Sequence, residues 1–171
     1  MSAIANLAAR DWTAVAAGLD NQGWALLPKL LDGSATARLR GLYDEEIFRS
    51  HVIMARHGFG RGEYKYFSYP LPGPIAALRP SLYECLAPIA NRWAGMKDEE
   101  TRYPARHADF LDRCHQAGQT RPTPLLLKYG AGDYNCLHQD LYGEHVFPLQ
   151  VAILLSQPGE AFTGGEFVMT E

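Results

Sequence analysis

The sequence predicts an α+β fold, and three observations carry that prediction. Apolar residues recur at helical spacing through Ala117, the pattern changes to strand-like runs after Pro124, and no repeat, linker or low-complexity segment intervenes. At 171 residues the chain has the length of one domain and can bury a real core. The expected division is a mainly helical part over 1–122, with one or two strands, followed by the first strands of a β core over 123–171.

Ala8 to Leu19 is alanine-rich, with Trp12, Val15 and Leu19 on one helical face, and Gly23 ends it. Trp24 to Leu27, stopped by Pro28, reads as a short strand. Asp32 or Ser34 suits the cap of a second helix carrying Leu39, Leu42, Tyr43 and Ile47 on one stripe, with Arg38, Arg40 and Arg49 on its polar face. His57 to Gly62 is a glycine-punctuated loop that leads into an extended aromatic run, Tyr64 to Tyr69. Pro80 suits the first turn of another helix bearing Leu82, Cys85, Leu86, Ile89 and Trp93, which Pro88 should kink. A polar helix is expected from Ala105 to Ala117, ended by Gly118. The strand candidates after Pro124 are Leu125–Tyr129, Asn135–Asp140, Val146–Ser156 and Glu166–Thr170. Within the third, Val151 to Leu155 is continuously apolar, as in a strand buried on both faces.

A hydrophobic content of 47% with 20% charged residues describes a soluble globular chain. No apolar run reaches the ~18–20 residues of a membrane span, so no membrane partner is expected. The N-terminus lacks a basic leader followed by an apolar core, which points to the cytoplasm. Cys85, Cys114 and Cys136 are odd in number and lack metal spacing, so free thiols in a reducing compartment are expected. A net charge of −3 argues against a general polyanion-binding surface and is compatible with a local basic groove.

The stretch Tyr129-Gly-Ala-Gly-Asp-Tyr-Asn-Cys-Leu-His138-Gln-Asp140 holds the strongest chemical signal. Residues two apart on a strand share a face, so His138 and Asp140 can meet one ion while Gln139 points away. An imidazole and a carboxylate are two of the three ligands of a facial triad. On spacing alone, ordinary hydrogen bonds at a strand end are the commoner explanation.

The surroundings change that weighting. Lys128-Tyr129-Gly130, Gly132-Asp-Tyr134, His138-x-Asp140, Pro148-Leu-Gln150 and Phe162-Thr-Gly-Gly-Glu-Phe167 occur in an order that resembles the iron(II)- and 2-oxoglutarate-dependent dioxygenases of prolyl-hydroxylase type. Together with Gly62 to Pro72, the chain resembles more narrowly a bacterial oxygenase group described as acting oxidatively on damaged, alkylated DNA. The resemblance implies a double-stranded β-helix (jelly roll) with buttressing N-terminal helices. Such a roll needs ~8 strands, and the strand-like runs here are fewer, so the barrel looks incomplete. It implies iron ligation by His138 and Asp140, with 2-oxoglutarate and O2 as cosubstrates and Tyr129 near 2-oxoglutarate. The expected reaction is hydroxylation, or oxidative demethylation where the target carbon is an N-methyl group.

Several residues keep two readings. Tyr129 is either that phenol or a half-buried strand aromatic, and Tyr134 either walls the site or packs beneath it. The run from Arg56 to Tyr69, with Arg61, Tyr64 and Tyr66 as candidate substrate contacts, suits base stacking with phosphate contacts, or a lid. A solvated loop followed by an amphipathic strand is its plain alternative. Gly164-Gly165 reads as a tight turn, Phe162 and Phe167 as core, Cys136 as a packed thiol, and His51, His57, His107 and His115 as surface groups.

Beyond Asp140 the only histidine is His145, and no arginine follows Arg121. The distal histidine and the 2-oxoglutarate-binding arginine that the resemblance implies are therefore missing, as in a truncated oxygenase. Two other classes stay open: a non-catalytic β-roll domain that binds a ligand or partner, and a zinc-binding cupin-like protein recruiting Cys136 and His145. The expectation for the 171-residue chain alone is weak Fe(II) binding, no turnover, and association through open strand edges. Robust 2-oxoglutarate-dependent succinate production by the isolated chain would contradict it.

Overall fold

Asp11 decides where the first long helix begins. Its Oδ1 accepts from the backbone N–H groups of Thr13 and Ala14 at 3.0 and 3.1 Å, so the helix starts at Trp12, later than the sequence suggests. The computed structural model describes residues 3–98 and 100–170. Met1 and Ser2, part of the predicted non-leader terminus, and Glu171, the end of the predicted β segment, lie outside them. The helices are α1 Ala3–Ala8, α2 Trp12–Gln22, α3 Gly33–Gly41, α4 Gly73–Met96 and α5 His107–Gln116. The strands are β1 Phe48–Ile53, β2 Gly60–Arg61, β3 Glu63–Phe67, β4 Leu125–Lys128 and β5 Tyr134–Asn135.

The α+β class is present. One antiparallel sheet runs β1-β3-β4 and a second pairs β2 with β5, and no closed barrel forms among the described residues. The chain divides into two units, each discontinuous in sequence: residues 1–32, 70–121 and 141–151, and residues 33–69, 122–140 and 152–171.

The first unit is helical. Leu7, Leu30, Leu78 and Leu82 form its buried cluster, with Trp12, Leu27 and Leu31 packed on it. α4 begins well before Pro80, with Pro74 in its opening turn, and continues through both Pro80 and Pro88. Each internal proline removes one helical N–H, yet the stripe Leu78, Leu82, Leu86 and Ile89 stays buried across both. Gly23, at φ 76°, ends α2, but residues 24–27 form no strand; Trp24 and Leu26 are exposed, and among the described residues no neighbouring strand offers a ladder.

Beside α4, Tyr83 stacks on Phe110 at 5.3 Å and meets Phe147 at 5.0 Å, while Tyr103 meets Phe147 at 5.1 Å. Burial pushes the Tyr83 phenol up to about 12. His107 joins this cluster 5.3 Å from the Tyr83 ring and is partly buried, which corrects its reading as a surface group. Desolvation, helped by the nearby Arg79 charge, lowers its pKa to about 4. His115, also read as a surface group, is partly buried too.

The second unit carries the sheets. Phe67 is fully buried and stacks on Phe48 at 4.7 Å, with Met54, Leu39 and Tyr43 completing the core. Arg49 lies on β1, because Phe48 to Ile53 is a strand and not the tail of a helix. Register places Tyr64 and Tyr66 on one face with Leu125 and Leu127, and Glu63, Lys65 and Phe67 on the other. Leu125–Lys128 is a strand as expected, whereas Asn135–Asp140 is a strand only at Asn135, and Val146–Ser156 and Glu166–Thr170 are irregular. Val151, Ile153 and Leu154 are exposed, as is Phe167, which was expected in the core. Strand-prone sequence gains its ladder only from a neighbour, and none is present for these runs among the described residues. Gly164 and Gly165 both hold positive φ, as a tight turn requires, but launch no strand. No described helix is long and apolar enough to cross a membrane.

Because His107 binds its proton more weakly folded than unfolded, the unfolded chain gains protons first on acidification. Stability should fall as pH drops from about 6.5 towards about 4. In urea denaturation at stepped pH, His107→Leu should flatten that part of the profile; an unchanged slope would contradict the assignment.

Candidate metal and cosubstrate site

The site is assembled by two short pieces of backbone. Gly60 pairs with Asn135 and Arg61 with Tyr134, and the Cys136 N–H donates to Phe59 O at 2.9 Å. Gly60 and Gly62 make this approach feasible, at φ 118° and 116°. A Cβ on Gly60 would run into the Tyr134 carbonyl oxygen, and one on Gly62 would lie 2.8 Å from the Tyr129 ring. The supposed loop from His57 to Gly62 therefore contains a strand that grips the site segment.

The turn Gly130-Ala-Gly-Asp133 closes with the Asp133 N–H donating to Gly130 O at 3.1 Å. Asp133 Oδ2 accepts the Gly130 N–H at 2.8 Å, and Gly132 supplies the positive φ. Asp133 Oδ1 lies 3.8 Å from Arg61 Nε, joining the turn to β2.

His138 and Asp140 follow β5 on irregular backbone, not on the regular strand that their spacing suggests. Their side chains still converge: His138 Nε2 is 3.6 Å from Asp140 Oδ1, with both about half exposed. His138 Nδ1 lies 2.7 Å from Cys136 O. A carbonyl can only accept, so this nitrogen carries a hydrogen, and in the neutral ring Nε2 then bears the lone pair on the side of the carboxylate. An ion about 2.1 Å from each donor spans the 3.6 Å gap, so the pair fits a shared metal. Among the described residues no three His, Cys, Asp or Glu side chains converge to hold an ion. Cys136 is exposed rather than packed, with Sγ 3.7 Å from Gly58 O.

Tyr129 directly follows β4, with its ring over Gly62. Partial burial raises its pKa, opposed by a hydrogen bond with the Asn135 side chain, so the hydroxyl stays a protonated donor at neutral pH. Asn135 was not singled out from the sequence, and only its place in the β2–β5 ladder reveals it. Tyr134 is largely exposed.

Of the candidate substrate contacts, Arg61 is mostly exposed, while Tyr64 and Tyr66 meet edge to face at 5.6 Å. Arg49, expected on a helix surface, lies 4.3 Å over the Tyr66 ring while donating to Pro122 O through Nε and Nη2. On the opposite face, His51 Nε2 is 2.6 Å from Glu63 Oε2, and Lys128 Nζ is 3.6 Å from Glu63 Oε1. The hydrogen bond with His51 holds the Glu63 carboxyl below its ordinary value. Lys128 thus serves the sheet.

Residues 62–171 match a family described as "Oxygenase, catalysing oxidative methylation of damaged DNA". Two uncharacterized proteins, from the CDC 1551 / Oshkosh and H37Rv strains of Mycobacterium tuberculosis, are each 52% identical over 105 residues. That alignment covers 61% of this chain and 45% of each relative, so the chain spans less than half the length of the curated relatives it matches. No solved structure matches.

Gly60→Ala and Gly62→Ala should each destabilise the chain by about 1–3 kcal/mol, from positive φ and the clash behind it. Gly73→Ala, at the start of α4 with open space around it, should be near neutral in the same urea denaturation. Equal losses at all three positions would contradict the packing described.

Proposed function

The chain belongs to the oxygenase family whose model it matches, and from that premise we propose that it carries part of an Fe(II)- and 2-oxoglutarate-dependent dioxygenase acting on alkylated DNA. The supporting observation is the His138–Asp140 pair, with Nε2 and Oδ1 3.6 Å apart and the imidazole oriented by the Cys136 carbonyl. Metal-binding histidines commonly donate their other ring nitrogen to a carbonyl or carboxylate, which fixes the ring and raises the basicity of the ligating nitrogen.

In this reading His138 and Asp140 hold the metal, and Tyr129 donates to a carboxylate of 2-oxoglutarate. Bound iron with 2-oxoglutarate and O2 supplies the oxidising chemistry that inserts oxygen at a substrate C–H. The protein's share would be orientation: β5 leads into the metal pair, Gly62 backs the Tyr129 ring, and Arg61 ties the turn to β2. The two sheets are then early strands of a jelly roll.

Arg61 would contact phosphate, and Tyr64 and Tyr66 would stack on bases. Binding to a methylated single-stranded oligonucleotide, measured at stated salt, should weaken about tenfold in Arg61→Ala with a shallower salt dependence. An affinity unchanged by that substitution would remove Arg61 from the substrate path.

Anaerobic Fe(II) titration followed by NMR tests the metal pair even where binding is weak. Paramagnetic broadening should centre on residues 134–140 and disappear in the His138→Gln, Asp140→Asn double variant. Broadening that survives both substitutions, or that centres elsewhere, would contradict the assignment.

A further inference from the structure

The helical unit holds a cavity of about 230 Å³ between α5 and residues 144–146. Tyr103, Phe110 and Val146 supply apolar wall, and Arg113, His145 and Glu144 supply charge and hydrogen-bonding groups. None of these residues takes part in the proposed oxygen chemistry. We propose that this cavity binds a small oxyanion-bearing ligand, with Arg113 and His145 as its recognition groups.

The walls are built to hold their shape. Two side-chain amides each clamp the backbone of a cavity residue at both its donor and its acceptor. Asn91 accepts the Tyr103 N–H at 2.7 Å and donates to Tyr103 O at 2.9 Å. Gln119 accepts the His145 N–H at 2.8 Å and donates to His145 O at 3.1 Å. The Tyr103 hydroxyl then ties the two walls by donating to Val146 O at 2.9 Å. Arg113 is steadied by a 2.6 Å bond from Nη1 to Arg102 O, one of the five donors of a guanidinium. Preorganised donors of this kind lower the ordering cost of binding.

The sign of the ligand follows from the charges. Arg113 puts a positive charge on the lining, and the opposing charge there, Glu144, has a side chain 74% exposed, so an oxyanion is favoured over a cation. That also separates His145 from the metal-ligand role weighed for it from the sequence. A carboxylate already lies beside the imidazole: Glu144 Oε1 is 3.9 Å from His145 Nε2, with its side chain 74% exposed. An incoming oxyanion would replace Glu144 there and gain Arg113 as well. The volume lies below the ~300–1,000 Å³ of drug-sized sites, which selects a small molecule such as a single-ring carboxylate or a simple phosphate.

The test is an NMR titration of the 171-residue chain with sodium benzoate and, separately, inorganic phosphate, at constant ionic strength. Saturable shifts of the Thr101, Arg113, His145 and Val146 amides are expected for at least one probe. Benzoate alone would identify a planar carboxylate, and phosphate alone a tetrahedral oxyanion. Arg113→Gln should weaken binding about tenfold, the scale of losing one charge-assisted hydrogen bond. His145→Gln keeps the backbone clamp and should weaken it less, while Glu144→Gln should tighten it by removing the internal competitor. Shifts that are linear with both probes, or saturation undiminished in Arg113→Gln and unimproved in Glu144→Gln, would overturn the proposal.

Discussion

The backbone ladder between β2 and β5 is the constraint on which the candidate metal site depends. It is only two residue pairs long, extended by the bond from the Cys136 N–H to Phe59 O. That anchor fixes the Cys136 peptide, whose carbonyl in turn sets the ring of His138. Without it, residues 136–140 would have little to define their path, because they belong to no strand and are exposed. Gly60 and Gly62 allow the close approach through their positive φ. Their conformational freedom thus becomes orientation at the His138 imidazole, carried by the backbone hydrogen bonds through Phe59 and Cys136.

Local chemistry was legible in the sequence wherever a residue's neighbours in the chain decide its state. Gly23 and Gly118 stop helices at positive φ as their positions suggest, and Tyr64 to Phe67 lies within a strand. His138 and Asp140 do approach each other, but not through the strand parity that their spacing suggests, because the backbone beneath them is irregular. Contacts between segments distant in sequence were not legible. Nothing in Arg49's neighbourhood announces that it caps Tyr66 and binds Pro122 O, and nothing around His107 announces an aromatic cluster completed by Phe147. Pro80 misled because proline is a start signal only where tertiary burial does not override it, and here the leucine stripe of α4 runs through it.

The strand runs after Asp140 show the limit of periodicity most clearly. Val151 to Leu155 has the composition of a buried strand, yet Val151, Ile153 and Leu154 are exposed and unladdered. Pattern states what a segment can do; a neighbouring strand decides whether it does so. The same separation holds for charge. The two faces of the β1-β3-β4 sheet differ, one carrying Glu63 tied to His51 and Lys128, the other carrying Tyr64 and Tyr66 with Arg49 over Tyr66, and a net charge of −3 conceals that difference.

The most direct measurement is the tautomer of neutral His138, read from its imidazole nitrogen shifts above the titration range of the ring. The hydrogen bond to Cys136 O requires the proton on Nδ1, with Nε2 bearing the lone pair that faces Asp140. A dominant Nδ1–H form supports a ring set up to ligate a metal. A dominant Nε2–H form would mean that the ring is turned for an ordinary hydrogen bond to the carboxylate, and the metal assignment would fail.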